Sequence, residues 1–295
     1  MPIVPGPTTA ALTVGSLIDR VLRDYLEPPD ELWVRTALTD DVGLAATEWP
    51  VDMSLLGFEE SELLGPGVLV EVDGEQAIIT DVTNGTVTVR RGARGTTAAE
   101  HAAGSEVLVA PAFTRTTVFD AVAESIVGLF PPLFALYTAE QEVASDGVVT
   151  LPSNAVVVTE ARLPDLLSPV SYVDLGEWSS GRALRVSPGL SGKDLWITYR
   201  SRFAYPNDEG QALAELGVRE EWGRIVVVGA AAQLISARPM SLSQQEFVSS
   251  QLRVEGYPVE TPMRIRDALI SYQEFLLERA AAGLAQQHPY DVVLT

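Results

Sequence analysis

The feature that most constrains this sequence is the alternation of apolar and polar residues that begins after Gly65. Val68, Val70 and Val72 fall at every second position, so they share one face of a β-strand. The intervening Glu71 is therefore predicted to lie on the opposite, polar face. The stretch predicts a strand that buries one face only.

Two turn signals extend this strand into an antiparallel ladder. Asp73-Gly74 leads into a second predicted strand, Gln76 to Val82. Asn84-Gly85 leads into a third, Thr86 to Arg90. Glu106 to Val109 completes the set, which predicts a small antiparallel sheet or barrel. Such a unit buries little apolar surface, so we expect it to lean on flanking helices or on a neighbouring chain.

Composition indicates a globular and strongly acidic chain. Its 295 residues suffice for two or more compact units, and 46% of them are hydrophobic, which supplies ample core. The 20 Lys and Arg against 40 Asp and Glu give a net charge of −20, which argues against a protein that wraps nucleic acid. The charge suits either a path along which DNA slides without binding or a subunit kept soluble before assembly.

Several classes of site and location are excluded by what the sequence lacks. It has no cysteine, so disulfides, zinc–thiolate sites and thiol nucleophiles are ruled out. Its first residues lack the basic and apolar regions of a secretory signal. No apolar run reaches the length of a membrane span, so we expect no membrane partner.

Helical periodicity occurs in four places. A helix capped by Thr13 is predicted from Val14 to about Leu26. A second runs from Val118 to Phe130, and we expect Leu133 to Tyr137 to continue it as a further turn. The remaining two helices are predicted over Glu220 to Ala237 and Met263 to Gln286.

The last two helices are predicted to pack against each other. Small residues at Gly229 to Ala232 allow the backbone of another helix to approach closely.

Glu31 to Leu38, near the start of the chain, is predicted to be either a short strand or a helical turn.

Residues 146–205 return to a β pattern with turn signals between short strands. This pattern predicts a second, larger, sandwich-like unit. Its candidate strands are Val148 to Leu151, Ala155 to Leu163, Tyr172 to Trp178, Ala183 to Val186 and Leu195 to Tyr199.

The predicted fold class is therefore α+β, with helical N- and C-terminal parts and two inserted antiparallel β units. The first β unit is a small barrel or sheet and the second is sandwich-like. Residues 1–60 are predicted to form a helix with an acidic linker, and residues 61–112 a small β-module. Residues 113–140 are predicted to be a joining helix and residues 141–206 a second β unit. C-terminal helices and an extended tail are predicted over residues 207–295.

Histidine-based and nucleotide-binding sites find little support in the sequence. His101 and His288 are the two histidines, too few for a multi-histidine metal site. Ser191 lacks the Gly-x-Ser-x-Gly spacing of a nucleophile elbow. Gly192-Lys193 is not preceded by the glycine that a phosphate-binding loop requires. We predict no catalytic, cofactor-binding or metal-binding residue, and no cofactor.

Carboxylates are plentiful enough to leave one enzymatic possibility open. Asp40-Asp41 and the group Glu59, Glu60 and Glu62 are acidic clusters, but their spacing matches no calcium-binding loop, so we interpret them as solvated. A two-carboxylate hydrolase needs only Asp or Glu and remains an alternative.

The segment between the third and fourth predicted strands carries the most specific motif. It reads Arg91-Gly92-Ala93-Arg94-Gly95-Thr96, followed by His101 and Gly104. Gly92, Gly95 and Gly104 allow backbone conformations that other residues resist. We predict that His101 pins the loop by bonding its backbone, a structural role that we favour over catalysis.

This motif resembles one that recurs in small β-modules of tailed-phage virion proteins, in connectors and in tail or baseplate subunits. With helices at both ends of the chain, the resemblance implies an adaptor-like helix bundle at the head-to-tail interface. It implies a homo-oligomeric ring, typically a dodecamer, below the portal protein and next to stopper or tail-completion proteins. DNA would pass through the ring without specific binding, and the location would be the virion, assembled in the host bacterial cytoplasm.

The end of the chain is the predicted partner interface. Tyr290, Val292, Val293 and Leu294 form an apolar extended tail, which we expect to dock into this chain or a neighbour. The alternatives to a connector are a tail-tip or baseplate subunit and, second, a carboxylate-based hydrolase carried on the virion.

Overall fold

A computed structural model describes residues 11–26, 34–55, 64–164, 169–178, 181–237, 248–250, 252 and 264–287. The chain divides into two compact units. The first is built on residues 18–121 with 231–266, and the second on 122–230 with 1–17 and 267–295. These bounds apply to the described residues of each unit.

The fold is mixed α+β with antiparallel sheets. Its helices are α1 Val14–Val21, α2 Arg115–Val127, α3 Gly223–Ala237 and α4 Ile265–Gln287. The first six strands are β1 Arg35–Ala37, β2 Glu48–Pro50, β3 Leu69–Val72, β4 Glu75–Thr83, β5 Thr86–Arg90 and β6 Glu106–Val109. The next six are β7 Ala135–Glu142, β8 Val148–Thr150, β9 Ala155–Arg162, β10 Val173–Trp178, β11 Gly181–Arg185 and β12 Asp194–Ser201.

Strands β1–β6 form one curled antiparallel sheet, which we call the β-module. The strand order is β1-β6-β3-β4-β5-β2. Its two edges meet, because Leu38 and Val51 form an antiparallel bridge and Asp52 N–H donates to the Ala37 carbonyl over 2.9 Å. Inward-facing side chains of β2–β6 then share one core, which includes Trp49, Val70, Val72, Ile79, Val87, Val89, Val107 and Val109.

The predicted four-stranded ladder is the centre of this module, and two short strands complete it. β1 and β2 have three residues each, which is too few for alternation to be read in the sequence. β1 falls inside the segment predicted as a strand or a helical turn. β2 was not predicted.

Glu71 of β3 is buried, although a residue on the polar face of the strand was expected to be solvated. The alternation places it on the polar face, yet the residue is only 2% exposed. Its Oε1 accepts a hydrogen bond of 2.8 Å from the backbone N–H of Arg115, the first residue of α2. The free amides at a helix start attract a carboxylate, and this contact accounts for the burial of Glu71.

The second β unit is built from two three-stranded antiparallel sheets. One has the order β10-β11-β8 and the other β7-β12-β9. Side chains from both sheets share one buried cluster, which gives the sandwich-like core that the sequence predicts. This cluster includes Val149, Leu151, Val158, Leu184, Val186, Leu195, Ile197 and Tyr199.

Strand β7 corrects the helical interpretation of Leu133 to Tyr137. The residues from Ala135 onward are extended and pair with β12 along all eight positions. Pro131 and Pro132 supply no amide hydrogen to continue the preceding helix, so the chain takes its hydrogen bonds from the sheet instead. α2 also differs slightly from expectation: it begins at Arg115 and ends at Val127.

The other helices lie close to their predicted bounds. The first is α-helical through Val21 and continues as a π-helical turn from Leu22 to Leu26. The predicted packing of the last helix against the one before it is confirmed, because a Cβ atom added at Gly229 of α3 would lie 2.3 Å from Nε2 of Gln273 in α4.

Candidate functional site

The motif loop of the β-module surrounds a group of charged side chains, which we call the charge cluster: Asp73, Glu75, Arg91 and His101. Glu75 is the first residue of β4, Arg91 directly follows β5, and His101 lies in the loop before β6. Strand pairing β3–β4 and β4–β5 brings these positions to the same end of the module.

A buried two-point ion pair lies at the centre of the cluster. Arg91 Nη2 lies 2.6 Å from Glu75 Oε2, and Arg91 Nε donates to Glu75 Oε1 over 2.9 Å. The side chains of the arginine and the glutamate are 8% and 1% exposed. Two parallel bonds between guanidinium and carboxylate are the strongest form of this contact, and they fix both groups in orientation.

Arg91 also gathers backbone carbonyl groups from two other loops. Its Nη1 donates to the carbonyls of Gly43, Leu44 and Ala46 over 2.7, 2.9 and 3.1 Å, and its Nη2 donates to the carbonyl of Ala99. The guanidinium carbon lies 5.5 Å from the centre of the Trp49 ring. One side chain therefore ties the β1–β2 connection to the motif loop.

His101 is held between two carboxylates. Its Nε2 lies 2.9 Å from Glu75 Oε2 and its Nδ1 lies 3.0 Å from Asp73 Oδ2. Its side chain is fully buried and meets the Trp49 ring edge-on. We expected the imidazole to bond the loop backbone; the ring bonds carboxylates instead, and it is the main chain of His101 that pairs with Val42.

The environment of Glu75 keeps its carboxylate ionised. Burial alone raises the pKa, since a charged group is costly to desolvate. The hydrogen bonds from Arg91, from the N–H of Ala99 and from His101, together with the charge of Arg91, outweigh burial and lower the pKa to about 2. Glu75 is thus a permanent hydrogen-bond acceptor at neutral pH.

The loop glycines adopt the conformations for which glycine is suited. The φ angles of Gly92, Gly95 and Gly104 are 62°, 87° and 86°. Arg94 shares the left-handed region at 52°, where a side chain is strained. The motif threonine, Thr96, is also engaged, because its Oγ1 accepts from the N–H of Gln76 and donates to the carbonyl of Ala93.

This arrangement acts as a cross-link. The Glu75 and His101 side chains bond each other and their neighbours in a region closed to solvent, so they present no group to a substrate. The loop is fixed at a further point where Asp41 accepts from the N–H of Ala103 over 2.8 Å. The charge cluster therefore holds one end of the β-module rigidly closed.

Several other sequence predictions concern residues outside the charge cluster. The predicted interface residues Tyr290, Val292, Val293 and Leu294 lie outside the described residues, as do His288 and the acidic group at 59–62. Where the chain is described, no three His, Asp or Glu side chains are grouped so that they could hold a metal ion. No helix in those same ranges is long and apolar enough to cross a membrane.

Sequence reasoning identified His101 and the glycines but missed the partners of His101. Glu75 lies between a predicted turn and the predicted strand that starts at Gln76, and Arg91 reads as part of a loop. The signal available was the pairing of β4 with β5, which places a carboxylate and a guanidinium at one end of the same ladder.

Comparison with known proteins found no family model that matches this chain and no curated protein that matches it.

Proposed function

We propose that this chain is a structural subunit of a tailed-phage virion, which assembles with copies of itself into a ring at the head-to-tail interface. It would act as an adaptor below the portal protein, next to stopper or tail-completion proteins, with DNA passing through the ring. The observation that carries the proposal is the motif loop, in which the side chains of Arg91, Thr96 and His101 are all used to fix its shape.

A loop held in this way is suited to making contacts rather than to reacting. The buried ion pair of Arg91 and Glu75 and the bonds of His101 hold the loop at several points along its length. Ordering a loop in advance removes the entropy that it would otherwise lose on binding. Such a loop offers a neighbouring subunit a fixed surface at one end of the β-module.

Adaptor-like helical packing is the second part of the proposal. α2, α3 and α4 meet around Gly229, where Ser125 Oγ donates to the carbonyl of Val226 over 3.0 Å. We propose that these helices, with α1, form the helical body of the subunit and that the β units are inserted into it.

The charge of the chain suits the inside of a DNA channel. A net charge of −20 repels phosphate groups, so DNA would slide past the subunits without binding to them. The tail residues Tyr290, Val292, Val293 and Leu294 would join one subunit to a neighbouring protein by adding to its groove or sheet.

Electron microscopy of the purified full-length chain tests the proposal. Negatively stained particles should be rings with a central channel, and native mass spectrometry should give one closed oligomer. A protein that stays monomeric at all concentrations and salt conditions would contradict the ring.

Removal of the tail tests the predicted interface. A chain that ends at Pro289 should fold with an unchanged melting temperature and should fail to enter particles, because only the docking segment is lost. A matched variant that replaces residues 290–295 with serine and glycine should fail in the same way. Normal incorporation of either variant would show that the tail is not the interface.

A tail-tip or baseplate subunit is the second candidate. The observation that favours it is the predominance of strands, twelve of them against four named helices in the described residues. Immunogold labelling of intact virions distinguishes the two positions, since label at the neck supports the adaptor and label at the distal end supports the tail tip.

A further inference from the structure

A cavity in the described part of the second β unit lies at one end of its two sheets. It has a volume of about 990 Å³. Its walls come from β7, from the turn before β9, from the start of β11 and from the residues just after β12. This volume is at the upper end of the range for ligand pockets in proteins, roughly 300–1,000 Å³.

The charge of the cavity is opposite to that of the chain. Acidic residues outnumber basic residues by 40 to 20 overall, yet the described lining contains Arg182 and Arg202 and no Asp or Glu. Tyr137, Ser153 and Asn154 add hydroxyl and amide groups to the same walls. The cavity is therefore rich in hydrogen-bond donors and poor in anionic acceptors.

Arg182 is fixed in place but not fully satisfied. Its Nη2 donates to Asp174 Oδ2 over 2.9 Å, which holds the guanidinium in one orientation. Its Nε is buried and has no hydrogen-bond partner among the described residues. A buried donor without a partner is costly, and the side chain as a whole is still 30% exposed, so an incoming carboxylate can approach the guanidinium.

Arg202 supplies the second charge. Its guanidinium carbon lies 5.5 Å from the centre of the Phe130 ring, and it makes no ion pair with a carboxylate of the described chain. Ser201 Oγ bonds the carbonyl of Arg202, which fixes the main chain next to the cavity. An aromatic support of this kind steadies an arginine without neutralising it.

Tyr137 adds a neutral donor. Burial, and to a lesser degree the neighbouring Tyr199, raise the pKa of the Tyr137 phenol. The phenol therefore keeps its proton at neutral pH and adds no negative charge to the cavity. Gly217 keeps this position open, because a Cβ atom there would lie 2.7 Å from the Tyr137 hydroxyl oxygen.

We propose that this cavity binds a short acidic segment of a polypeptide, whose carboxylates are held by Arg182 and Arg202. A single phosphate is small for the space, since one water takes up roughly 30 Å³. A nucleic acid needs a track of several cations along its backbone, and the cavity offers two. Charge complementarity and volume together fit a peptide that carries two or more carboxylates.

Fluorescence anisotropy of the full-length protein with a dye-labelled tetraglutamate peptide tests this assignment. The peptide should bind, and the affinity should fall as salt is raised, because the contacts are ionic. A tetraglutamine peptide of equal length should bind at least about tenfold more weakly, since a charge-assisted bond contributes about 1.5–3 kcal/mol and tenfold corresponds to 1.4 kcal/mol.

Variants locate the binding to the cavity. Arg182→Gln and Arg202→Gln should each lower the affinity at least about tenfold. Arg185→Gln, which removes the same charge from β11 outside the cavity lining, should leave the affinity unchanged. Ala204→Trp fills the space while keeping both arginines, so it should abolish binding even if an arginine variant proves unstable.

Competition identifies the ligand class. Unlabelled tetraglutamate should displace the labelled peptide, whereas inorganic phosphate and a single-stranded oligodeoxythymidylate should displace it poorly. Stronger displacement by phosphate or by the oligonucleotide would overturn the assignment in favour of a phosphate ligand. Equal binding by the wild type and the Ala204→Trp variant, or no binding of the peptide, would overturn the site itself.

Discussion

Glu75 is the residue on which the shape of the motif loop depends most directly. Its two carboxylate oxygens receive both bonds from Arg91, the N–H of Ala99 and the ring of His101. A buried carboxylate is tolerable only because these partners replace the water that it has lost. Without it the guanidinium of Arg91 would remain buried as an uncompensated charge.

Replacing Glu75 by Gln should therefore destabilise the β-module strongly. We expect a loss of about 3–5 kcal/mol in the free energy of unfolding, the range for breaking a buried pair by removing one partner. Glu106→Gln is the matched control, since it removes an ion pair with Arg35 whose side chains are 39% and 54% exposed. The control should cost less than about 1 kcal/mol, as exposed pairs do. Urea unfolding measures both, and equal losses would contradict the special role of Glu75.

The low pKa of Glu75 also predicts how stability depends on pH. The pKa is about 2 in the folded chain against 4.5 for the unperturbed group, so folding favours the ionised form. The stabilisation is complete above pH 4.5 and is lost as the pH falls towards 2. Its size is on the order of 3 kcal/mol, from 1.36 kcal/mol for each pKa unit.

The comparison of wild type with Glu75→Gln isolates this part from the other carboxylates. Urea unfolding between pH 6 and pH 2.5 gives the free energy of unfolding of each protein. The gap between the two free energies should shrink as the pH falls. A gap that stays constant over that range would mean that the carboxylate of Glu75 is not the titrating group.

The backbone conformation of a single residue was predictable where the residue type alone determines it. Gly92, Gly95 and Gly104 were expected from the motif to need unusual backbone conformations, and each has a positive φ. Glu71 and Glu75 were not predictable as buried, because alternation along a strand assigns glutamates to water. Their burial depends on partners far away in sequence, and a single strand carries no information about those partners.

Among the secondary-structure elements, helices α2, α3 and α4 approach one another closely at Gly229. Gly229 faces Gln273 of α4 and Ser125 of α2, and a Cβ atom at this position would lie 2.3 and 2.5 Å from their polar side-chain atoms. Ser125 cannot move freely, because it is only 3% exposed and bonds the Val226 carbonyl. The absence of a side chain at Gly229 is what permits this spacing.

Gly229→Ala should accordingly destabilise the protein although alanine favours helices. Overpacking of this kind costs about 1–3 kcal/mol. Gly283→Ala in α4 is the matched control, because no atom lies within 4 Å of the added Cβ, and it should stabilise by about 0.5–1 kcal/mol. Thermal unfolding measures both changes. A rise in melting temperature for Gly229→Ala would show that the helices are not packed this closely.

Elements were predictable in proportion to their length and to the strength of their turn signals. The hairpins at Asp73-Gly74 and Asn84-Gly85 and the long helix α4 follow from local patterns. β7 does not, because its extended form arises from pairing with β12, about sixty residues away in sequence. The contacts that close the β-module through β1 and β2 are likewise tertiary.

At the scale of the whole molecule, the net charge of −20 controls association. Copies of the chain repel each other, and a ring forms only if apolar burial and specific contacts exceed this repulsion. The sequence alone gives this long-range repulsion, because the repulsion depends on the net charge, which is a count of charged residues. The arrangement of those charges, including the acid-free cavity with Arg182 and Arg202, appears only once the strands are folded.

Self-repulsion predicts that the proposed ring is favoured by salt. The screening length is about 30 Å at 0.01 M salt and about 8 Å at 0.15 M, so repulsion between subunits weakens steeply over that range. Sedimentation velocity at a fixed protein concentration should show the oligomer fraction rising as sodium chloride is added. A neutral osmolyte at matched osmolality is the control, because it leaves the charges unscreened. A fall in the oligomer fraction with salt would mean that opposite charges pair across the interface, and it would contradict a ring held together against its own charge.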